Sequence, residues 1–475
     1  MTFASAFASA FASRESFPKQ RYGSVAGSTP RLDALDFALI VIFLIGIYTN
    51  YTILISKNVP FPSAPAGVAG LILLWRRRDQ ISLAAFTGFT AVLALYAVSV
   101  LIAPDLTWLP RRTNGLIQLT YSLVIGYALF VTVTTGSRKQ IAALFLTCAL
   151  VLAVGCLLET YGGLRPVSDA VRRVLYSRGL YDGDQRDILY YDRVRPKFFA
   201  SEPASVTFCY SLFTYCWFVV SNWRWKLPFY LGLFGLGVLA MPGPTLLLML
   251  ALVVPYVLLL MPRQGGRLIL ARMLPLAALA AVSIAVFLVV ASVAFPQRSQ
   301  DARAGDDPST FYRVRGPIIA GIDIMKTYPI AGAGLTGEPF IEGRVTNLYI
   351  RSPYYSARWA VVTPASELLI NYFWLHWIYL GVLMGVLVTA ALSVWLLAIG
   401  VPSPAFCWVV WAILGQASGA YVGPTCWAVL FLAAAAAVLN QRAEASEANM
   451  WRSAPRAASY SDANALRPHS PASHT

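Results

Sequence analysis

Arg193, Arg195 and Lys197 stand close together, and Glu202-Pro203-Ala204-Ser205 follows them, where a long polar stretch gives way to the apolar run Val206 to Val220. Arginines hold phosphate through paired N–H donors and a nearby carboxylate can take a proton, so this stretch has the parts to bind a phosphate and move a proton beside a membrane helix. The same pattern suits a basic juxtamembrane anchor that meets lipid headgroups. A second set lies further on: Arg313 and Arg315 precede Pro317, which opens a short helix that Tyr328-Pro329 closes, with Ser309 and Thr310 as candidate caps. Free amide groups at the start of that helix, beside two guanidinium groups, make an anion site. Ile318, Ile319, Ile322 and Met325 give it an apolar face for the bilayer or the helix bundle. Ala331-Gly332-Ala333-Gly334 then makes a flexible turn, either an ordinary loop or a place where backbone approaches a ligand closely.

The elements that must position these residues are membrane helices. Mean hydropathy is +0.61, 57% of residues are hydrophobic and 12% are charged; a soluble domain carries about twice that charge. The expected fold is all-α and polytopic, with about twelve transmembrane helices at 35–56, 59–75, 81–102, 116–135, 141–158, 204–221, 227–241, 245–260, 268–294, 367–399, 404–419 and 423–440. The pair around Met241-Pro242-Gly243-Pro244 is short enough to be a re-entrant hairpin instead. Arg76-Arg77-Arg78, Arg138-Lys139, Arg224 with Lys226, Arg263 with Arg267, and Arg442 fall in alternate loops, which places them and both termini in the cytoplasm; Arg111-Arg112 is left outside. Residues 1–33 and 441–475 read as flexible cytoplasmic tails around a membrane domain at 34–440. The net charge of +15 is a matter of topology, and nucleic acid is not an expected partner.

The two polar segments, 159–203 and 295–366, fall on the outer side, each expected to hold short amphipathic helices. Each has seven arginines and a single lysine, Lys197 or Lys326, and arginine's planar fork suits phosphate or carboxylate better than a lysine point charge does. Asp182, Asp184, Asp187 and Asp192 balance the first set, which also fits a solvated, self-neutralised surface. Tyr190, Tyr191, Phe198, Phe199, Tyr312, Tyr349, Tyr354, Tyr355 and Trp359 can pack on sugar faces or anchor at the interface. All six cysteines fall inside expected spans, and His376, His469 and His474 are too scattered for a metal site.

With these residues in place, the chain resembles the O-antigen polymerase and ligase superfamily. Arg195, Phe199 and Glu202-Pro203-Ala204-Ser205 at the mouth of a span are similar to the family's arginine, aromatic, Glu-Pro-Ser step. Arg313 or Arg315, the short helix, and Tyr328-Pro329-Ile330-Ala331-Gly332-Ala333-Gly334 look like its large-loop signature. Gly381-Val382-Leu383-Met384-Gly385 is like its Gly-Leu-Ile-Gly. The chain departs in having Ser366-Glu367 and Asn371 where many members carry a histidine; His376 lies further along, either a core residue or a site residue.

The resemblance implies an integral membrane glycosyltransferase without metal or cofactor. It would transfer a growing undecaprenyl-diphosphate-linked glycan onto the next lipid-linked repeat unit, at the outer face of the bacterial inner membrane. On that reading Arg195, Arg313 and Arg315 stabilise the departing diphosphate and Glu202 is the base, with Glu367 second. Arg193, Lys197, Gly332, Gly334, Glu367 and His376 are substrate-binding candidates. Candidate partners are membrane lipid, a chain-length-regulating copolymerase and a flippase. The alternatives are ligase-type transfer to a lipid or protein acceptor, and a flippase or transporter of lipid-linked oligosaccharide. The latter class usually keeps its polar residues at the bilayer midplane and its loops short.

Overall fold

In hydrocarbon a backbone must satisfy its own hydrogen bonds, so long apolar runs close into helices. A computed structural model describes residues 32–56, 59–176, 181, 183–261, 263–264, 267–268, 311–352 and 364–453, with isolated positions between 278 and 301. The architecture is that of an all-α membrane protein. In chain order it runs α1 (Ala34–Thr49), strands β1 (Ile53–Ser56) and β2 (Val59–Phe61), α2 (Ala64–Arg76), α3 (Leu83–Ile102), α4 (Leu109–Thr135) and α5 (Arg138–Tyr161). The first polar segment adds α6 (Arg165–Leu175) and α7 (Asp184–Tyr191), followed by α8 (Pro203–Val220), α9 (Lys226–Ala240) and α10 (Leu248–Pro255). The second adds a π turn (Phe311–Arg315), α11 (Gly316–Thr327) and α12 (Glu338–Ile350), before α13 (Ala365–Leu368), α14 (Tyr372–Ala398), α15 (Pro404–Gly415) and α16 (Pro424–Ser453).

Among the described residues six helices are long and apolar enough to cross a membrane: α3, α4 with its leading turn, α5, α8, α14 and α16. Shorter apolar helices stand at α1, α2, α9, 244–260 and α15, and the expected span 268–294 lies almost wholly outside the described residues. The first two expected spans are corrected at their junction. Asn50, in the left-handed conformation at φ 47°, ends α1, and Ile53 pairs with Phe61 and Leu54 with Pro60 in a small hairpin. Pro60 and Pro62 deny a helix its donors before α2 begins, and Pro65 is tolerated in its first turn.

Helices α8 and α16 form the centre, with 89% and 94% of their spanning windows buried against 28% for α3. The run Ala433 to Ala437 keeps α16 thin enough for its neighbours to close on it. Cations gather at one end on helix C-termini, where unpaired carbonyls and the helix dipole favour them. Arg138 donates to the carbonyls of Val220 and Ser221, Arg442 to Thr134, and Lys226 to Ser221 at 3.0 Å. Arg76 and Arg77 hold the buried Asp36 at the same end, where Leu32 packs beside Gly136. The described parts of the two polar segments lie at the opposite end. Arg112 is there too, fully buried, donating to the carbonyls of Asp105 and Ala333 at 2.9 Å each.

At that end α14 is broken at Gly381 (φ 66°), and the segment 329–334 fills the break. The amides of Ala333 and Gly334 donate to Ile378 and Tyr379, while Pro329 and Ile330 accept from Val382, Leu383 and Met384. The expected span 367–399 therefore becomes a separate turn, α13, and a two-part helix. The interior contact of α11 is made by its small residues. Pro317, Ala320, Gly321 and Ile324 are buried, with Gly321 under the Trp374 ring, and Ile322 points outward, 41% exposed. Small residues let the helix lie close to α14, which the larger isoleucines would prevent.

Candidate functional site

The stretch from Arg195 to Glu202 bends sharply between two prolines, and its backbone is held by side chains from other helices. Phe198 and Phe199 both lie in the left-handed region, at φ 36° and 67°, each a conformation costing about 1–3 kcal/mol for a non-glycine residue. The buried carboxylate of Glu159, in the last turn of α5, offsets this by accepting the amides of Lys197 at 2.9 Å and Phe198 at 2.5 Å. Ser168 on α6 accepts the Phe199 amide at 3.1 Å, and Arg172 donates to the carbonyls of Ala200 and Ser201 at 2.7 and 2.9 Å. Tyr48 on α1 donates to the Phe198 carbonyl. Gly155 leaves the space that the Phe198 ring fills, since a Cβ there would stand 2.2 Å from it. The half-buried Phe198 is thus packed on α5.

Glu159 is the residue that sequence reasoning missed, although a lone carboxylate ending an apolar run is a signal of its own. Glu159→Gln turns one acceptor into a donor facing an N–H and removes the charge from both contacts. With charge-assisted bonds contributing about 1.5–3 kcal/mol each, the variant is expected to lose about 2–4 kcal/mol. Thermal unfolding in detergent, with proteolysis of the 193–202 loop, reads the change; an unaltered melting temperature would refute this role.

The cations of this stretch are met from within. Arg195 is buried, with Nε 2.8 Å from Asp187 Oδ1, Nη2 3.0 Å from the Tyr181 hydroxyl, and the guanidinium 4.8 Å from the centre of the Tyr191 ring. Lys197 Nζ lies 2.8 Å from Asp184. Burial opposes the Arg195 charge, but the pull of Tyr191, Asp187 and Tyr181 outweighs it and leaves its pKa above the ordinary value. Burial also raises the Tyr181 phenol, so it remains protonated and donates to Asp187 at 2.6 Å while accepting from Arg195. The solvated-surface reading of the acidic cluster is corrected for Asp187, which is fully buried on α7; Asp182 lies outside the described residues.

A cavity of about 150 Å³ opens beside Arg195. It is lined by Arg195 and Glu202 from the first segment, Arg313 from the π turn of the second, Arg186, and Pro244 and Thr245 from the break between α9 and α10. Arg313 therefore shares one space with Arg195 and Glu202, which lie more than a hundred residues before it in the chain. Glu202 occupies the N-cap of α8, beside the positive end of the helix, and its carboxylate has no hydrogen bond or ion pair among the described residues. Arg313 Nη1 donates to Ala417 O at 3.1 Å, and Asn371 ties the turn down, donating to Arg313 O at 2.7 Å and Gln416 Oε1 at 2.8 Å. Asn371 also caps α14 through the Trp374 amide at 3.2 Å.

The other sequence-chosen residues are placed apart from this cavity. Arg315 sits on the same π turn, half-buried, but does not line this cavity. Arg193 reaches Tyr161 and the Leu239 carbonyl at 2.6 Å. Glu367 is exposed on α13. His376 is buried inside the bundle, with Nδ1 2.9 Å from the Tyr421 hydroxyl and Nε2 3.1 Å from Gly385 O. Gly332 and Gly334 meet the protein itself: a Cβ would stand 2.3 Å from Ile378 O at the first and 2.3 Å from Arg112 Nε at the second. Tyr354, Tyr355 and Trp359 lie outside the described residues.

No family model, no curated protein and no solved structure matches the chain. The cavity itself offers permanent cations from two segments, a carboxylate without a partner among the described residues, and a helix N-terminus, at the edge of a membrane bundle.

Proposed function

We propose that the protein is a polysaccharide polymerase, transferring a growing undecaprenyl-diphosphate-linked glycan onto the next lipid-linked repeat unit at the outer face of the bacterial inner membrane. On this reading the membrane domain has about twelve spans with both termini cytoplasmic, and no metal or cofactor takes part. The observation that supports it best is the shared cavity of Arg195, Glu202 and Arg313. A diphosphate leaving group gathers negative charge as its bond to the sugar breaks, and preorganised guanidinium groups stabilise that charge. Glu202 takes the proton of the acceptor hydroxyl. Glu367, exposed on α13, yields the base role to it. Arg315 serves as a supporting charge on the Arg313 turn, and Arg193 and Lys197 hold the loop.

Arg313→Gln is expected to weaken binding of undecaprenyl diphosphate about 10- to 100-fold, the loss of one charge-assisted contact to phosphate. Equilibrium binding to protein in lipid nanodiscs measures it, and wild-type affinity would remove Arg313 from the site. The wider reading is tested in a strain lacking the gene, by sizing lipid-linked glycans and surface polysaccharide. Single repeat units on lipid without long polymer are the result expected of a polymerase. Long polymer stranded on undecaprenyl diphosphate would indicate a ligase, and repeat units held at the cytoplasmic face a flippase.

A further inference from the structure

Glu202 also lines a second cavity of about 210 Å³, walled by α1, the start of α8 and residues between 417 and 425. Glu202, Ala204 and Ala417 belong to the walls of both cavities. The second has a different chemistry: it is lined by no lysine or arginine, and its polar groups are Asn50, Ser201, Ser205, Ser418 and Thr425, with Tyr48. The four Ser and Thr hydroxyls make no hydrogen bond among the described residues, whereas the Tyr48 hydroxyl is engaged by the Phe198 carbonyl. Ile47, Phe208 and Ile370 supply apolar surface. Neutral hydroxyls that both donate and accept, mixed with apolar side chains, match a sugar ring, which shows hydroxyls at its rim and C–H groups on its faces. A phosphate would find no cation here.

We propose that this cavity is the acceptor subsite and takes a neutral sugar residue, presenting one of its hydroxyls to Glu202. The inference rests on the polymerase reading and adds the direction of the reaction to it. The acceptor hydroxyl gives its proton to the Glu202 carboxylate as its oxygen bonds to the donor's anomeric carbon. The bond from that carbon to the diphosphate oxygen breaks, and the diphosphate leaves with the electron pair into the cavity of Arg195 and Arg313. Glu202 stands between the two because only there can one carboxylate face an incoming hydroxyl while the leaving group departs toward cations.

The experiment is thiol protection in lipid nanodiscs. A cysteine is placed in the neutral cavity (Ser205→Cys, in a Cys209→Ala background, since Cys209 lines the same wall) or in the cationic one (Thr245→Cys), and labelling by a membrane-impermeant thiol reagent is timed. Glucose, galactose, mannose and N-acetylglucosamine are the neutral probes, and undecaprenyl diphosphate is the anionic one. A sugar at about twice its Kd slows labelling about threefold; this is expected at 205 and not at 245, with the diphosphate acting the other way round. If the diphosphate protects 245 and no sugar protects 205, the acceptor subsite is overturned while the polymerase reading stands. If the diphosphate fails at 245, it is the polymerase reading that falls. The second measurement keeps the native cysteines: Ser205→Ala with Ser418→Ala is expected to raise the KM for the acceptor about tenfold through two lost hydrogen bonds, leaving the donor's KM unchanged. Equal movement of both constants, or of neither, overturns the assignment.

Discussion

On the polymerase reading, purified Glu202→Gln protein is expected to keep its melting temperature and its affinity for undecaprenyl diphosphate while its rate of chain extension falls about 10²- to 10⁴-fold, the contribution of a positioned general base. The Glu202 side chain is half-buried and makes no hydrogen bond or ion pair among the described residues, so an amide of equal shape leaves the fold undisturbed. The residue nevertheless stands at the N-terminus of α8, in the wall common to the two cavities, where the proposed reaction needs its base. Glu367→Gln is the matched control. That residue is exposed on α13, outside both cavities, and its substitution is expected to leave turnover unchanged. Wild-type turnover in well-folded Glu202→Gln protein would end the base assignment. Equal losses in the two variants would show that the assay reads general acidity at this surface.

The largest effect on folding is expected at Gly332. Its φ of 56° is unfavourable to any residue with a Cβ, and the added atom would stand 2.3 Å from Ile378 O and 2.6 Å from Gly381 N. Both obstacles are backbone, so no rotamer change relieves the clash. The interlock also satisfies the polar groups that the break in α14 exposes: amides at 333 and 334 serve the carbonyls above it, and carbonyls at 329 and 330 serve the amides below. Pushing the segment outward leaves these groups unpaired, in a bundle where each costs about 1–3 kcal/mol. Gly332→Ala should therefore lose more than about 4 kcal/mol, in the range reserved for severe backbone conflict. Gly343 in α12 is the contrast, since nothing lies within 4 Å of its added Cβ; there alanine adds up to about 1 kcal/mol through helix propensity. Thermal unfolding in detergent and the yield of folded protein distinguish them, and equal stability of the two variants would dissolve the interlock argument.

Much of the architecture was readable because apolar length and turn residues are local properties. The helices at α3, α5 and α8 follow hydrophobic runs, as do the apolar parts of α4 and α16, and α11 begins beside Pro317 and is capped at Tyr328. The junction of α1 and α2 was misread because hydropathy continues through Ile53 to Ser56 while backbone geometry does not. Which face of α11 turns inward was left open by hydrophobicity, which suits its isoleucines to bilayer or bundle alike, whereas close approach to α14 selects Gly321 and Ala320.

By itself the sequence determined an α-helical membrane protein with arginine-rich segments at the helix margins, and it marked Arg195, Glu202 and Arg313 by their chemistry. Those conclusions need only residue type and spacing, because the cost of leaving backbone polar groups unsatisfied in hydrocarbon depends on neither partner nor topology. Tertiary structure alone decided that Arg313 stands with Arg195 and Glu202, that Asp187 rather than solvent meets Arg195, and that Gly332 and Gly334 belong to a helix break. It also decided which arginine of the pair lines the cavity. These outcomes turn on contacts between segments far apart in the chain, whose geometry is set by how helices pack, and a loop's residue types do not record which distant wall it will face.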